Sequence, residues 1–465
     1  MAFVYVAKMP YWVNQPYQKS EVNIGMQTHP TEALAEFKSR RQQLIAQMVE
    51  GVAIIPTAAE AIRNRDSHYP YRFDSYFYYL TGFKEPEALL VLVAGNENKS
   101  ILFCRDKDME REIWDGFRYG AEAAKAEFGF DEAYSFNQLD EMLPKLLGNQ
   151  TKLFYSLGAD ASWDARVTGW LNQVKSQART GISAPDEVFD VRKLVDEMRL
   201  YKSAYEIDVM RRSANIAAAA HNRAMQKTRA GKMEYEIEAE FLHEFYRKGA
   251  QAPAYTSIIA GGANACTLHY NANNCVLKDG DLLLIDAGCE LDGYASDITR
   301  TFPVNGKFSA AQKDVYELVL AAQAAAIAKV NTANHWNAPH EAALEVLAQG
   351  FIDLKLCKGS LSGVIESGDY KQFYMHRTGH WLGLDVHDAG EYKNKAGAWR
   401  QLEAGMTLTV EPGCYIRPAD NVPEHFWNIG IRIEDDVMVT TAGAEVLTKN
   451  AIKTVVDIES IMAKS

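Results

Sequence analysis

The chain has 465 residues, room for two or three domains at roughly 100 to 200 residues each and too long for a small stapled scaffold. Hydrophobic residues make up 47% and charged residues 24%, the usage of a folded globular protein rather than a disordered or fibrous one. With 61 acidic against 49 basic residues and a formal net charge of -12, no broad basic face is left for phosphates or anionic lipid, so neither nucleic acid nor a membrane is an expected partner.

In chain order, residues 1–32 carry Pro10, Pro16 and Pro30 with no sustained period and read as an N-terminal extension, in which Met26 is an alternative start to Met1. The apolar run Ala2 to Ala7 ends at Lys8 and Pro10, too short for a signal-peptide core, and a cytoplasmic location is expected. From Glu32 to Met48 the residues Leu34, Phe37, Leu44, Ile45 and Met48 recur at helical spacing. The short apolar runs Val52 to Ile55, Tyr76 to Thr81, Leu89 to Ala94 and Ile101 to Cys104 read as strands, the last two joined by a hairpin loop over 95–100. None approaches the roughly 18 to 20 apolar residues that span a bilayer. A strand over Lys152 to Leu157 and a helix over Ser162 to Gln177 complete an α/β N-terminal domain over 33–196. A linker-like stretch, Ile182 to Asp186, precedes the boundary. The second domain, 197–465, opens on long helical material to Thr228 and a helix over Glu234 to Lys248, then turns to strands with charges in their middles. The six cysteines (Cys104, Cys266, Cys275, Cys289, Cys357 and Cys414) form no CxxC pair. They read as reduced, mostly buried thiols.

Those charges carry the chemistry. Asp281 to Glu290 reads DLLLIDAGCE and Tyr294 to Phe302 reads YASDITRTF, two strands around a turn at Leu291-Asp292-Gly293, with Asp286 and Asp297 inside them. A two-residue loop puts both acids on one face of the ladder, and a three-residue loop puts them on opposite faces. On one face they repel in an apolar setting unless a cation neutralises them. The alternative is a turn-capping Asp and an edge Asp. Glu411 in TLTVEPGCYI and Glu434 in NIGIRIEDDVMVT interrupt two further strands, with Arg432 on the side of Glu434. The stretch MHRTGHWLGLDVHD, Met375 to Asp388, holds His376, His380 and His387, and its glycines argue for loop or strand over helix. Taken singly a histidine is more often a core residue, but four strand carboxylates beside a histidine cluster fit an oxygen-rich site for Mn, Co or Zn.

At these motifs the sequence resembles the Xaa-Pro aminopeptidases (aminopeptidase P) of the pita-bread metallopeptidases, most of all their bacterial cytoplasmic members, from about residue 37 to the C-terminus. Asp286 in IDAG, Asp297 in SDITRTFPVNGKF, His380 in HWLGLDVHD, Glu411 in VEPG and Glu434 in RIEDD match the family's five ligands in type and order, and DSHYPYRFDSYFYYLTGFKEPEALLVL matches its N-terminal domain. The resemblance implies an α/β domain followed by an α+β pita-bread catalytic domain. It implies two divalent ions, Mn(II) first with Co(II) or Zn(II) as alternatives, bridged by Asp297 and Glu434. Asp286 would complete the first site, and His380 and Glu411 the second. It also implies that His269 in TLHY, His387 and Arg432 line the substrate pocket with His376, and that Trp114 in EIWDG reaches a neighbouring subunit of a homo-oligomer, a tetramer or dimer.

The expected reaction is removal of the first residue from peptides with proline in second place. A hydroxide between the two ions attacks, Glu411 carries the proton and His269 stabilises the carbonyl oxygen. The rivals are a prolidase, restricted to dipeptides, and a non-catalytic pita-bread binding module, in which the ligand set should be broken.

Overall fold

The computed structural model describes residues 31–463. The expected extension over 1–32 and the choice between Met1 and Met26 lie outside the described residues, except that Thr31 and Glu32 already belong to the first helix, Thr31–Met48. A six-stranded sheet follows, in the order Glu132–Ser135, Lys99–Cys104, Leu89–Ala94, Gly51–Pro56, Lys152–Phe154 and Glu187–Phe189. Leu89–Ala94 pairs antiparallel with both neighbours, and the remaining pairings are parallel. An unbroken apolar strand needs cover on both faces, and here alternate side chains enter two cores. Leu90 and Leu92 join the core that holds Phe37, Leu44 and Phe77. Leu89 and Val91 join the one built on Leu139, Leu143, Val167 and Trp170.

The run Tyr76 to Thr81 is a helix, Ser75–Thr81, and not the expected strand. Local chemistry decides it, because Asp74 caps the first turn by accepting from the Phe77 N–H, and Gly82, at φ 66°, closes the last. The long helical material expected from 196 to Thr228 is present as two helices, Arg192–Leu200 and Ala204–Lys227. Ser203 and Glu206 form a reciprocal capping box at the break. The expected boundary at 196/197 falls within the first of these helices.

Beyond it, Ala204–Lys227 and Glu234–Arg247 pack on each other and against short strands, and Ala310–Ala328 packs against strands on one side and Ala338–Asp353 on the other. The strands form small antiparallel sheets: Ile258–Gly261, Leu282–Asp286 and Thr299–Pro303; Thr407–Val410, Asp435–Thr440 and Gly443–Val446; and the pair Gly413–Ile416 and Ile429–Arg432. No helix among the described residues is long and apolar enough to cross a membrane.

Ions join the two halves. Arg72 reaches across to Glu290 at 3.1 Å and donates to the Leu384 carbonyl at 2.6 Å, while Ser75 donates to Asp385. Within the second domain, beside this junction, Arg199 and Lys202 both pair with Asp388, at 2.5 and 2.8 Å, and all three side chains are 1% exposed. Removing one member of a buried ion network strands the others without compensation. Asp388→Ala is therefore expected to cost about 3 to 5 kcal/mol of stability in denaturant unfolding. A loss under about 1 kcal/mol would show that Arg199 and Lys202 find other partners.

Candidate metal centre and active site

The hairpin that carries the first two acids turns in two residues. Leu291 pairs with Tyr294 across Asp292-Gly293, whose φ values of 49° and 84° are both positive. Asp286 pairs with Thr299 in the same register, so Asp286 and Asp297 share a face, as the two-residue loop requires. The acids do not lie inside strands, however. Asp286 ends Leu282–Asp286, and Asp297 falls in the gap between Tyr294–Ala295 and Thr299–Pro303. The ladder breaks because the chains nearly touch at Gly288, where an added Cβ would lie 1.6 Å from the Ser296 carbonyl oxygen. Glu411 similarly follows Thr407–Val410 and precedes Pro412, which has no N–H for a ladder. Glu434 fills the gap between Ile429–Arg432 and Asp435–Thr440. Strand breaks free these side chains to converge.

They converge on a cavity of about 490 Å³, lined by Asp286, Asp297, His380, Glu411 and Glu434 and also by His269, His376, His387, Arg432 and Tyr255. Ligating atoms of Asp297, His380 and Glu434 lie within 4.8 Å of one another. The Tyr255 hydroxyl ties in Asp286, at 2.6 Å from its carboxylate and 2.5 Å from that of Asp297. His380 Nε2 lies 3.4 Å from Asp297 and 3.9 Å from Glu411.

His380 is held by its backbone. Its N–H donates to Thr409 Oγ1, its carbonyl accepts from the Thr409 N–H, and the Glu411 N–H donates to the Thr378 carbonyl. This crossing needs Gly379, since a Cβ there would meet the Thr409 carbonyl oxygen at 2.0 Å. Nδ1 of His380 donates to the Trp381 carbonyl at 2.9 Å, leaving Nε2 as the ligating nitrogen.

Without a cation the site is over-acidic. Burial pushes Glu434 well above the carboxylate range, reinforced by Asp297, Glu411 and Asp286. Burial also raises Glu411 to about 7 against the pull of His380 and Arg432, and raises Asp286. Burial works against the charged forms of Asp297 and His380, but their mutual contact prevails, lowering Asp297 and raising His380 to about 9. Tyr255 has one neutral O–H for two carboxylate oxygens at hydrogen-bond distance, so a further proton or a cation belongs between them. Four carboxylates and one imidazole fit divalent cations that favour oxygen.

Arg432 is engaged rather than free. It donates from Nη2 to Asp286 at 2.6 Å, from Nη1 to the Tyr415 hydroxyl at 2.9 Å and from Nε to Thr299. The Tyr415 hydroxyl meets His376 Nε2 at 2.8 Å, and Nδ1 of that ring donates to the Arg377 carbonyl at 2.7 Å. Burial and Arg432 hold His376 down at about 4, neutral at physiological pH. His269 and His387 are exposed on the cavity wall, the latter with its ring 4.3 Å from that of His380. Trp114 does not reach this chain's cavity. It stands 83% exposed on Met109–Asp115, beside Ile113 at 81% and Met109 at 70%.

Sequence reasoning missed Tyr255 and Tyr415. Tyr255 lies outside any named element, so no periodicity marks it. Tyr415 lies in the buried strand Gly413–Ile416, where a hydroxyl must find a polar partner, and that was the available signal.

Comparison with known proteins agrees with this geometry. Metallopeptidase family M24 matches residues 208–441, and the N-terminal domain of aminopeptidase P matches residues 37–155. The Xaa-Pro aminopeptidase of Escherichia coli K12 is 45% identical over 437 residues, 92% of this chain and 97% of that protein. The structure of aminopeptidase PepP from Pseudomonas aeruginosa superposes with a TM-score of 0.92 at 49% identity, covering 94% of this chain and 99% of that one. A zinc-substituted E. coli aminopeptidase P in complex with product gives 0.90 at 44% identity, covering 93% and 98%.

Proposed function

The chain belongs to metallopeptidase family M24, and from that membership we propose its reaction: removal of the N-terminal residue from peptides with proline in second place. It is a metal-dependent hydrolase with a pita-bread catalytic domain behind an aminopeptidase P N-terminal domain. The observation that carries the proposal is the convergence of four carboxylates and His380 on one cavity that three further histidines also line.

Asp286, Asp297, His380, Glu411 and Glu434 would hold two divalent ions. Bound there, the ions supply Lewis acidity and bring the pKa of water toward neutrality. Glu411 takes the proton of the attacking water and passes it to the departing amine. Arg432 holds Asp286 in place, and His269 and His387 face the substrate, where an imidazole N–H can meet the charge that grows on the carbonyl oxygen. Neutral His376, fixed by Tyr415, can offer no charge and acts through shape and hydrogen bonding. An X-Pro bond has no N–H to satisfy, so a cavity without an acceptor at that place favours it.

Mn(II) is the assigned metal, with Co(II) or Zn(II) as alternatives, and the oxygen-rich donor set supports it. We assign the two domains to 33–196 and 197–465, within which the two family matches lie. A homo-oligomer, tetramer or dimer, is supported by the exposed Met109, Ile113 and Trp114, and a cytoplasmic location by six unpaired cysteines, five of them buried.

Mass spectrometry of a peptide panel tests the reaction. Release of one residue from Xaa-Pro-Xaa tripeptides, with Xaa-Ala peptides largely spared, is expected. Cleavage confined to dipeptides would restore the prolidase reading, against which the named relatives speak.

A further inference from the structure

The loop that carries His269 is anchored by a carboxylate that has no ion-pair partner among the described residues. Glu234 opens the helix Glu234–Arg247 and is fully buried. Its Oε1 accepts from the Gly261 N–H at 2.8 Å and from Asn264 Nδ2 at 3.0 Å. Its Oε2 accepts from the Tyr270 hydroxyl at 2.7 Å and from the Cys275 N–H at 2.9 Å. These four donors lie before and after His269 in the loop.

One helical turn on, Glu238 accepts from Asn273 Nδ2 at 3.1 Å. Asn273, 3% exposed and at φ 46°, also donates to the Ser257 carbonyl and accepts from the Ile259 N–H. Two carboxylates at i and i+4 repel on a helix, and a buried carboxylate is costly unless fully hydrogen-bonded. The base of the loop does not need them, because its backbone is already paired: Glu234 N–H to the Cys275 carbonyl and Leu277 N–H to the Lys232 carbonyl. What the carboxylates fix is the tip. Leu268, His269 and Asn271 line the cavity, while Tyr270 between them turns back to Glu234.

We propose that Glu234 is a positioning residue for His269, holding through Tyr270, Gly261, Asn264 and Cys275 the loop that sets this imidazole against the substrate. The proposal rests on the reading of His269 as a substrate-facing group. Glu234 accepts four hydrogen bonds as a carboxylate, and Gln has one oxygen and an NH2 that would confront two of the donors. A buried charge-assisted hydrogen bond and a displaced catalytic group each suffice for a tenfold loss or more.

A double-mutant cycle tests it on the full, metal-loaded chain with a tripeptide substrate. Glu234→Gln is expected to lower kcat about tenfold or more, and Tyr270→Phe, which deletes one bond, several-fold, with metal content unchanged. In the His269→Ala background both effects should shrink to under about twofold. Equal losses in the two backgrounds would show a general structural role and overturn the proposal, as would full activity of both single variants. If Glu234→Gln fails to fold, the Tyr270→Phe cycle alone decides. His269→Ala with near wild-type kcat would sink the reading of His269 itself, whereas a crippled His269→Ala beside silent loop variants would sink only the positioning role.

Discussion

Glu411→Gln is expected to lower kcat about 10²- to 10⁴-fold while leaving KM much less changed. The side chain is half-buried just past Thr407–Val410 and lies 3.9 Å from both His376 and His380. Glu411 lines the cavity, where a carboxylate can take a proton from water and return it to the leaving amine. Gln keeps the volume and one carbonyl oxygen for a cation but cannot accept a proton. Neither neighbouring ring replaces it: His376 is fixed as a neutral tautomer between Arg377 and Tyr415, and His380 turns its Nδ1 to a carbonyl. The measurement is steady-state kinetics on an Xaa-Pro tripeptide with metal content determined on the same sample. Asp286→Asn is the control, since its loss should act through metal affinity and be partly rescued by excess Mn(II). Turnover near wild type with both metals bound would remove Glu411 from the role of base.

How far this site was legible in the sequence depends on the residue. A hairpin at Leu291-Asp292-Gly293 was readable, but its loop length was not, and with period 2 in a ladder that length decides whether the two acids share a face. The place of Asp297, Glu411 and Glu434 at strand breaks was not readable either, because a break depends on close approaches such as Gly288 to Ser296, whose partner chain a linear pattern does not name. The helix Ser75–Thr81 was misread from its run of aromatics, although Asp74 before it and Gly82 after it were both visible as caps. Nothing in the linear pattern marks Arg72, Arg199 and Lys202, because their partners Glu290 and Asp388 are brought to them only by the fold. Glu234 lies 35 residues before His269 in the chain, and their link exists only through the loop's hydrogen bonds. Residue types that ligate metals announce themselves by chemistry, whereas residues that position them are ordinary types in particular places.

Removing the metals is expected to abolish hydrolysis and also to change how stability depends on pH. Prolonged dialysis against chelator should leave no activity and Mn(II) should restore it; full activity in excess chelator would end the two-metal reading. In the metal-free protein Glu411 titrates at about 7 when folded against an ordinary value of 4.5. The folded state therefore holds the extra proton between those values, and the stability this proton contributes is complete below 4.5 and lost as pH rises through 7. Glu434, also raised by burial, acts in the same sense. His380, at about 9 against an ordinary 6.5, contributes stability that is complete below 6.5 and lost as pH rises through 9. Asp297, lowered, acts oppositely but only in acid, where its contribution disappears as pH falls. Each tenfold difference in proton affinity is worth about 1.4 kcal/mol, so the melting temperature of the metal-free protein should fall steadily from pH 5 to pH 9. With saturating Mn(II) the trend should flatten or reverse, because the cations take the place of the protons and bind only deprotonated ligands. Scanning calorimetry at pH 5, 7 and 9, with chelator and with Mn(II), reads both curves. A metal-free protein that grew more stable toward pH 9 would show that its buried carboxylates do not repel one another, and the physical case for cations between them would fall with that result.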